Sequence, residues 1–230
     1  MEPLASVRSP AARGPAVPRR QQLIRLSGAG WTHVLEAPWD ATARSCLGLW
    51  AARGLPLVVT RQLALQDALL AAGLPAPARY RRRRLALAVA PQDVLFFDEF
   101  PTADAATRLL PRALAAAWRN LLTALAAADC AARVYGGYGW QALTRLAYVH
   151  ADSDIDLLLP VTDVQHADVV AHVLATASWG GPRLDGELLF PDGGAVAWRE
   201  WRDCRQGRVS QVLVKRLRGV ALETLAASPA

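Results

Sequence analysis

The sequence predicts a layered α/β or α+β protein in two units, on three observations. Short β-branched or Leu-rich runs, such as residues 55–61 (LPLVVTR) and 155–159 (IDLLL), alternate with stretches of helical apolar spacing. Gly and Pro separate those stretches. The 230 residues are 53% hydrophobic and 20% charged, which supports a sizeable core and argues against a disordered chain.

The elements follow in order. Residues 1–30 are rich in Pro, Ala, Arg, Ser and Gly and read as a disordered leader. Residues 31–92 form a first unit. It holds a helix over 41–54, capped by Asp40 and stopped by Gly54, and a strand over 55–61. A second helix over 63–72 ends at Gly73, a Pro-rich turn covers 74–77, and a basic run, 81–84, feeds a strand over 85–90. Residues 93–230 form the second unit. Its helical stretch, 102–128, is interrupted by Pro111. Then come a strand over 133–135, a helix over 140–146, a strand over 155–159, a helix over 163–178, paired strands over 184–190 and 195–198, a strand over 209–215 and a short last helix.

Composition excludes several classes. No run of about 18 apolar residues occurs, so no membrane-spanning helix is expected. Three scattered cysteines argue against a disulfide framework or a Cys-rich zinc site and fit a reducing cytoplasm. The net charge is +6, but the first 30 residues hold five arginines against one acid, while the remaining 200 carry 21 bases and 19 acids. The body is nearly balanced, which disfavours a broad nucleic-acid face.

The chemistry concentrates in Val134-Tyr135-Gly136-Gly137 and Ser153-Asp154-Ile155-Asp156. Strand period two puts Asp154 and Asp156 on one face. Like charges so placed repel unless a cation sits between them, and Mg²⁺ takes oxygen ligands together with substrate phosphates. The Gly136-Gly137 turn precedes a helix, where backbone N–H groups and the helix dipole favour phosphate.

This arrangement resembles the DNA polymerase β-like nucleotidyltransferases, whose pattern is Gly-Ser, Asp-x-Asp and a third carboxylate on a later strand. Residues 135–159 (YGGYGWQALTRLAYVHADSDIDLLL) resemble more narrowly the holo-[acyl-carrier-protein] synthases of malonate decarboxylase, which are phosphoribosyl-dephospho-coenzyme A transferases. The Trp140-Gln141-Ala142-Leu143-Thr144 stretch and the 17-position step from Gly137 to Asp154 carry that likeness. Asp185-Gly186-Glu187, Phe190-Pro191-Asp192-Gly193 and Val212-Leu213-Val214-Lys215 extend it, so that it spans about residues 31–220. Two positions depart from the family: Gly137 stands where it has serine, and Arg145 where it usually has glycine.

The resemblance implies an α+β fold: a polymerase β-like domain, with a mixed sheet and helices on one side, preceded by a smaller α/β domain. It implies transfer of the prosthetic group from 2′-(5″-triphosphoribosyl)-3′-dephospho-coenzyme A to a serine of the apo acyl-carrier subunit, with release of diphosphate. Asp154 and Asp156 would hold Mg²⁺. Asp185, favoured over Glu187, would be the third carboxylate. Gly136, Gly137 and Lys215 would meet phosphates, and Trp140, Trp198 or Trp201 could stack on adenine. Another nucleotidyltransferase, or an inactive binding module of the same fold, are the alternatives.

Overall fold

A computed structural model of the chain describes residues 18–62 and 68–225. Two sheets face each other. The first runs through β1 (Leu23–Leu26), β2 (Leu57–Val59), β3 (Leu70–Pro75), β4 (Arg84–Val89) and β5 (Val94–Asp98), in the order β4-β3-β2-β1-β5. Every pairing in it is antiparallel. Helices α1 (Gly28–Glu36) and α2 (Ala41–Ala52) supply Trp31, Val34, Cys46, Leu47 and Trp50 to its core. Asp40 caps α2 by accepting from the Ala43 amide at 3.0 Å, as its position before the apolar run predicts. Leu23 and Ile24, neighbours in β1 and so on opposite faces, are both fully buried.

The second sheet has the order β11-β10-β9-β8-β7-β6. Its strands are β6 (Arg133–Tyr135), β7 (Ile155–Pro160), β8 (Leu184–Leu189), β9 (Ala195–Ala197), β10 (Val212–Lys215) and β11 (Val220–Glu223). Only β7 and β8 pair in parallel, joined through α5 (Val164–Thr176); the sheet is therefore mixed and the fold α+β. Helices α3 (Ala115–Ala127), α5 and α6 (Trp198–Arg205) pack on the face that presents Ile155, Leu157 and Leu159. Alternation sends Asp156 and Leu158 to the other face, and Leu158 joins the core of the first unit. Asp156 and Leu158 thus point away from the helical layer and toward the partner sheet.

The structure corrects several expectations. The expected leader of residues 1–30 is too long: β1 and the start of α1 lie before residue 31, and β1 is an inner strand of its sheet. Residues 1–17 lie outside the described residues. The boundary near residue 92 cuts off β5, which pairs with β1, so the first unit extends to about Asp98. That unit, expected as a smaller α/β domain, is an antiparallel sheet with two helices. The expected helix over 63–72 is a strand where it is described, since Leu70–Pro75 is β3; residues 63–67 lie outside the described residues. Pairing on both sides overrides the helical propensity of Leu70-Ala71-Ala72. The 102–128 stretch is broken at Pro111 into 3₁₀ turns followed by α3. The last element among the described residues is the strand β11, where a helix is expected. Trp198, expected as the last residue of a strand, instead opens α6, a helix whose buried Trp198 and Trp201 fix its inner face.

Candidate active site

Helix α4 (Gly136–Thr144) starts one residue after β6 ends, so the glycine turn is the first turn of the helix itself. Gly136 has φ +57, a backbone conformation that glycine adopts without penalty. A Cβ there would lie 1.9 Å from Asp156 Oδ2. The missing side chain is the space the carboxylate occupies. Gly136→Ala combines this clash with a strained φ; it is expected to displace Asp156 and lower turnover about 100-fold or more, read in a transfer assay. Gly137 differs. A Cβ there meets nothing within 4 Å, so serine fits without rearrangement.

Register gathers the acids. Tyr135 pairs with Asp156, and Asp156 with Asp185 in the parallel neighbour; Leu158 pairs with Glu187. Asp154 precedes β7 on the same face as Asp156. Burial, then the charges of Asp185, Asp154 and Glu187, push the Asp156 carboxyl up to about 6. Among the described residues Asp156 has no cationic partner. Asp185 is approached by Arg183 at 3.1 Å and Arg199 at 3.5 Å. Arg199 also lies over the Trp198 ring at 4.2 Å. Glu187 is buried and takes a two-pronged bond from Arg20, at 2.8 and 3.0 Å, plus Lys215 at 2.8 Å. Lys215, expected to meet a phosphate, is instead committed to Glu187. The Arg20–Glu187 bond ties the start of the first unit to the middle of the second sheet.

A cleft opens between the sheets over Gly136, Gly137 and Asp156. Its deeper part, about 550 Å³, lies against Val58, Gly73, Leu85 and Trp140. Its outer part, about 390 Å³, is lined by Arg82, His150, Ser153 and Asp154. Pro75, Arg84, Gly137, Tyr148 and Asp156 line both. The basic run divides its labour. Arg81 and Arg82 take left-handed backbone, Arg83 pairs with Asp40 at 2.6 Å, and Arg82 and Arg84 reach the cleft without an ion-pair partner among the described residues.

The sequence reading missed Arg20, Phe100, Tyr135 and Tyr148. Arg20 fell in the supposed leader, and the aromatics are brought to the cleft by strand register that no local pattern displays. Trp198 and Trp201 are core residues, each 2% exposed, which removes them as adenine platforms. Cys130 is buried, and burial pushes its thiol up to about 12, far from a nucleophile's range.

The donor set suits a hard divalent cation. Asp154 and Asp156 offer carboxylate oxygens on one face, and the surplus negative charge around Asp156 is what a cation would relieve. Among the described residues no cluster of three or more His, Cys, Asp or Glu side chains is arranged as a metal shell, so waters or substrate oxygens would have to complete it.

Acids beside a glycine-started helix, with arginines across a cleft, define a site for transfer chemistry on a phosphorylated substrate. Family models for the C-terminal and N-terminal domains of phosphoribosyl-dephospho-CoA transferase MdcG match residues 99–226 and 19–100. The chain belongs to this transferase family. It is 37% identical over 218 residues to the phosphoribosyl-dephospho-CoA transferase of Bradyrhizobium diazoefficiens, covering 93% of each chain. It is 38% identical over 185 residues to that of Xanthomonas euvesicatoria, covering 78% of this chain and 85% of the relative. The Pseudomonas aeruginosa enzyme of that name is 33% identical over 181 residues, covering 73% and 78%. No solved structure matches the chain. No helix among the described residues is long and apolar enough to cross a membrane.

Proposed function

We propose that this chain transfers the phosphoribosyl-dephospho-coenzyme A group from 2′-(5″-triphosphoribosyl)-3′-dephospho-coenzyme A to a serine of the apo acyl-carrier subunit of malonate decarboxylase. The observation that carries the reading is the family match across both units, with Asp156 seated in the space left by Gly136. The serine oxygen forms a bond to the α-phosphorus, the bond to the bridging oxygen breaks, and diphosphate leaves. The serine proton passes to a carboxylate of the cluster. Asp185 would accept it, a role supported by its register beside Asp156 and its partial exposure. The first turn of α4 presents backbone N–H groups to the phosphates, and Arg82 and Arg84 offset their charge. Asp154 and Asp156 would hold Mg²⁺, which when bound neutralises the charge that builds on the departing diphosphate. The polymerase β-like ancestry of the second unit, and a cytoplasmic setting, belong to the same proposal. It is supported by the Asp-x-Asp strand next to the glycine-started helix.

The test is to incubate the protein with Mg²⁺, the triphosphoribosyl precursor and the apo carrier, and to follow carrier mass. A gain equal to the prosthetic group with the precursor, and none with ATP, is expected. No gain with folded protein would refute the assignment, and a gain with ATP would favour a generic nucleotidyltransferase. Gly137→Ser is expected to keep activity or raise it a few-fold, because the hydroxyl enters open space at the phosphate turn. A large fall in the same assay would show that the turn does not meet phosphate.

A further inference from the structure

Asp154 and Asp156 account for the outer half of the cleft; Asp156, Gly136 and Gly137 also border its deeper half, whose remaining lining is unexplained. That half has a different chemistry. One wall is aromatic: Trp140 is edge-on to Phe100, with ring centroids 5.5 Å apart, and roughly parallel to Tyr148 at 6.3 Å. Tyr148 is fixed by donating its hydroxyl to the Pro75 carbonyl at 2.7 Å. The opposite side is the outward face of β2, β3 and β4. Register sets Val58 beside Gly73, and Gly73 beside Ala86, so short side chains project there, with Arg84 at the end shared with the outer half. No hydrogen bond links the Tyr135 hydroxyl or the Trp140 indole N–H, two polar groups of the aromatic wall, to another of the described residues. A space of about 550 Å³ falls in the range that encloses a small organic ligand. Trp140 and Phe100 are 4% and 1% exposed and back this wall, while the half-buried Tyr135 and Tyr148 offer its accessible rings; such walls with a few unpaired donors suit a flat heteroaromatic ring, which packs against them and whose ring nitrogens accept.

We infer that this deeper half seats the adenine base of the substrate, while the outer half, with Arg82, Arg84 and the acidic pair, takes its triphosphate. The inference rests on the proposed function for the identity of the ligand, and goes beyond it by assigning the first unit's sheet to base recognition. The two halves share Pro75, Arg84, Gly137, Tyr148 and Asp156, so one molecule spans both without a break. The arrangement also explains why a catalytic second unit carries a sheet in front of it: that sheet closes the base site.

The test separates the two halves with two probes, 3′-dephospho-coenzyme A and inorganic triphosphate with Mg²⁺, each titrated by calorimetry. Ala86→Trp fills the deeper half from an exposed position on an edge strand, where folding is least disturbed. Val58→Phe is the second variant, and melting curves confirm that each folds. Either filled variant is expected to weaken dephospho-coenzyme A at least about tenfold and to change triphosphate binding by less than about twofold. Arg82→Ala, at a residue that lines the outer half alone, is expected to do the reverse. If folded Ala86→Trp and Val58→Phe bind dephospho-coenzyme A as the unaltered chain does, or lose both probes equally, the base site is refuted. A chain that shows the expected split but loads no carrier would refute the proposed function and leave the base site standing.

Discussion

Asp156→Asn is expected to abolish transfer while leaving the chain folded. The carboxylate is one of two offered to the cation. Stabilisation of charge at such a centre is worth several kcal/mol, so the rate should fall on the order of 10³-fold or more. Stability should move the other way. In the folded chain the Asp156 carboxyl is held at about 6 against an ordinary 3.8, because burial and three neighbouring acids disfavour its charge. Between those values the folded state holds a proton that the unfolded chain has released. Stability therefore falls as pH rises through that window and stays lower above it. Asparagine removes this penalty, which is at most about 3 kcal/mol. Without divalent cation, the variant should melt above the unaltered protein at pH 7 and level with it near pH 4. Melting curves at the two pH values, beside the carrier-mass assay, check both halves of the expectation. An active variant would remove Asp156 from the chemistry.

The second large effect is structural. Glu187 is buried with a side chain 6% exposed, and its charge is answered by Arg20 and Lys215. Replacing Arg20 with alanine leaves one cation for a buried carboxylate that had two, and severs a bond between the units. Breaking a buried pair typically costs about 3–5 kcal/mol, and the surviving lysine places the expected loss near the lower end. For a chain of this size that corresponds to a fall in melting temperature of roughly 6–12 °C. The outer pair of Arg19 and Glu99 gives a contrast: it is exposed, and its loss should be worth about 1 kcal/mol or less. Denaturant unfolding of Arg20→Ala, Glu187→Gln and the double variant measures the coupling. Additive losses would show that the two residues do not act as a pair.

Much of the site was legible because its signals are local. Gly136-Gly137 before a helix and Asp154-x-Asp156 on a strand need only the periods of the two elements. The structure adds why Gly136 must be glycine, which is a distance to Asp156 and not a property of either segment alone. What the sequence hid depends on partners remote in the chain. β1 sits among Pro- and Arg-rich surroundings and is recognisable only by its pairing with β2 and β5. Leu70–Pro75 carries helical residues and is a strand because β2 and β4 flank it. Arg20 and Lys215 both look like exposed charges until Glu187 is placed between them. The cleft itself has no sequence signature, since it arises where one sheet's outward face meets the aromatic edge of the other.

The central claim is that Asp154 and Asp156 share a divalent cation at the glycine-started helix. Mn²⁺ binding followed by electron paramagnetic resonance, with the triphosphoribosyl substrate present, tests it most directly. The account predicts that the bound Mn²⁺ signal of the unaltered chain weakens at least about tenfold in affinity in folded Asp156→Asn. Equal binding by the two proteins would contradict it.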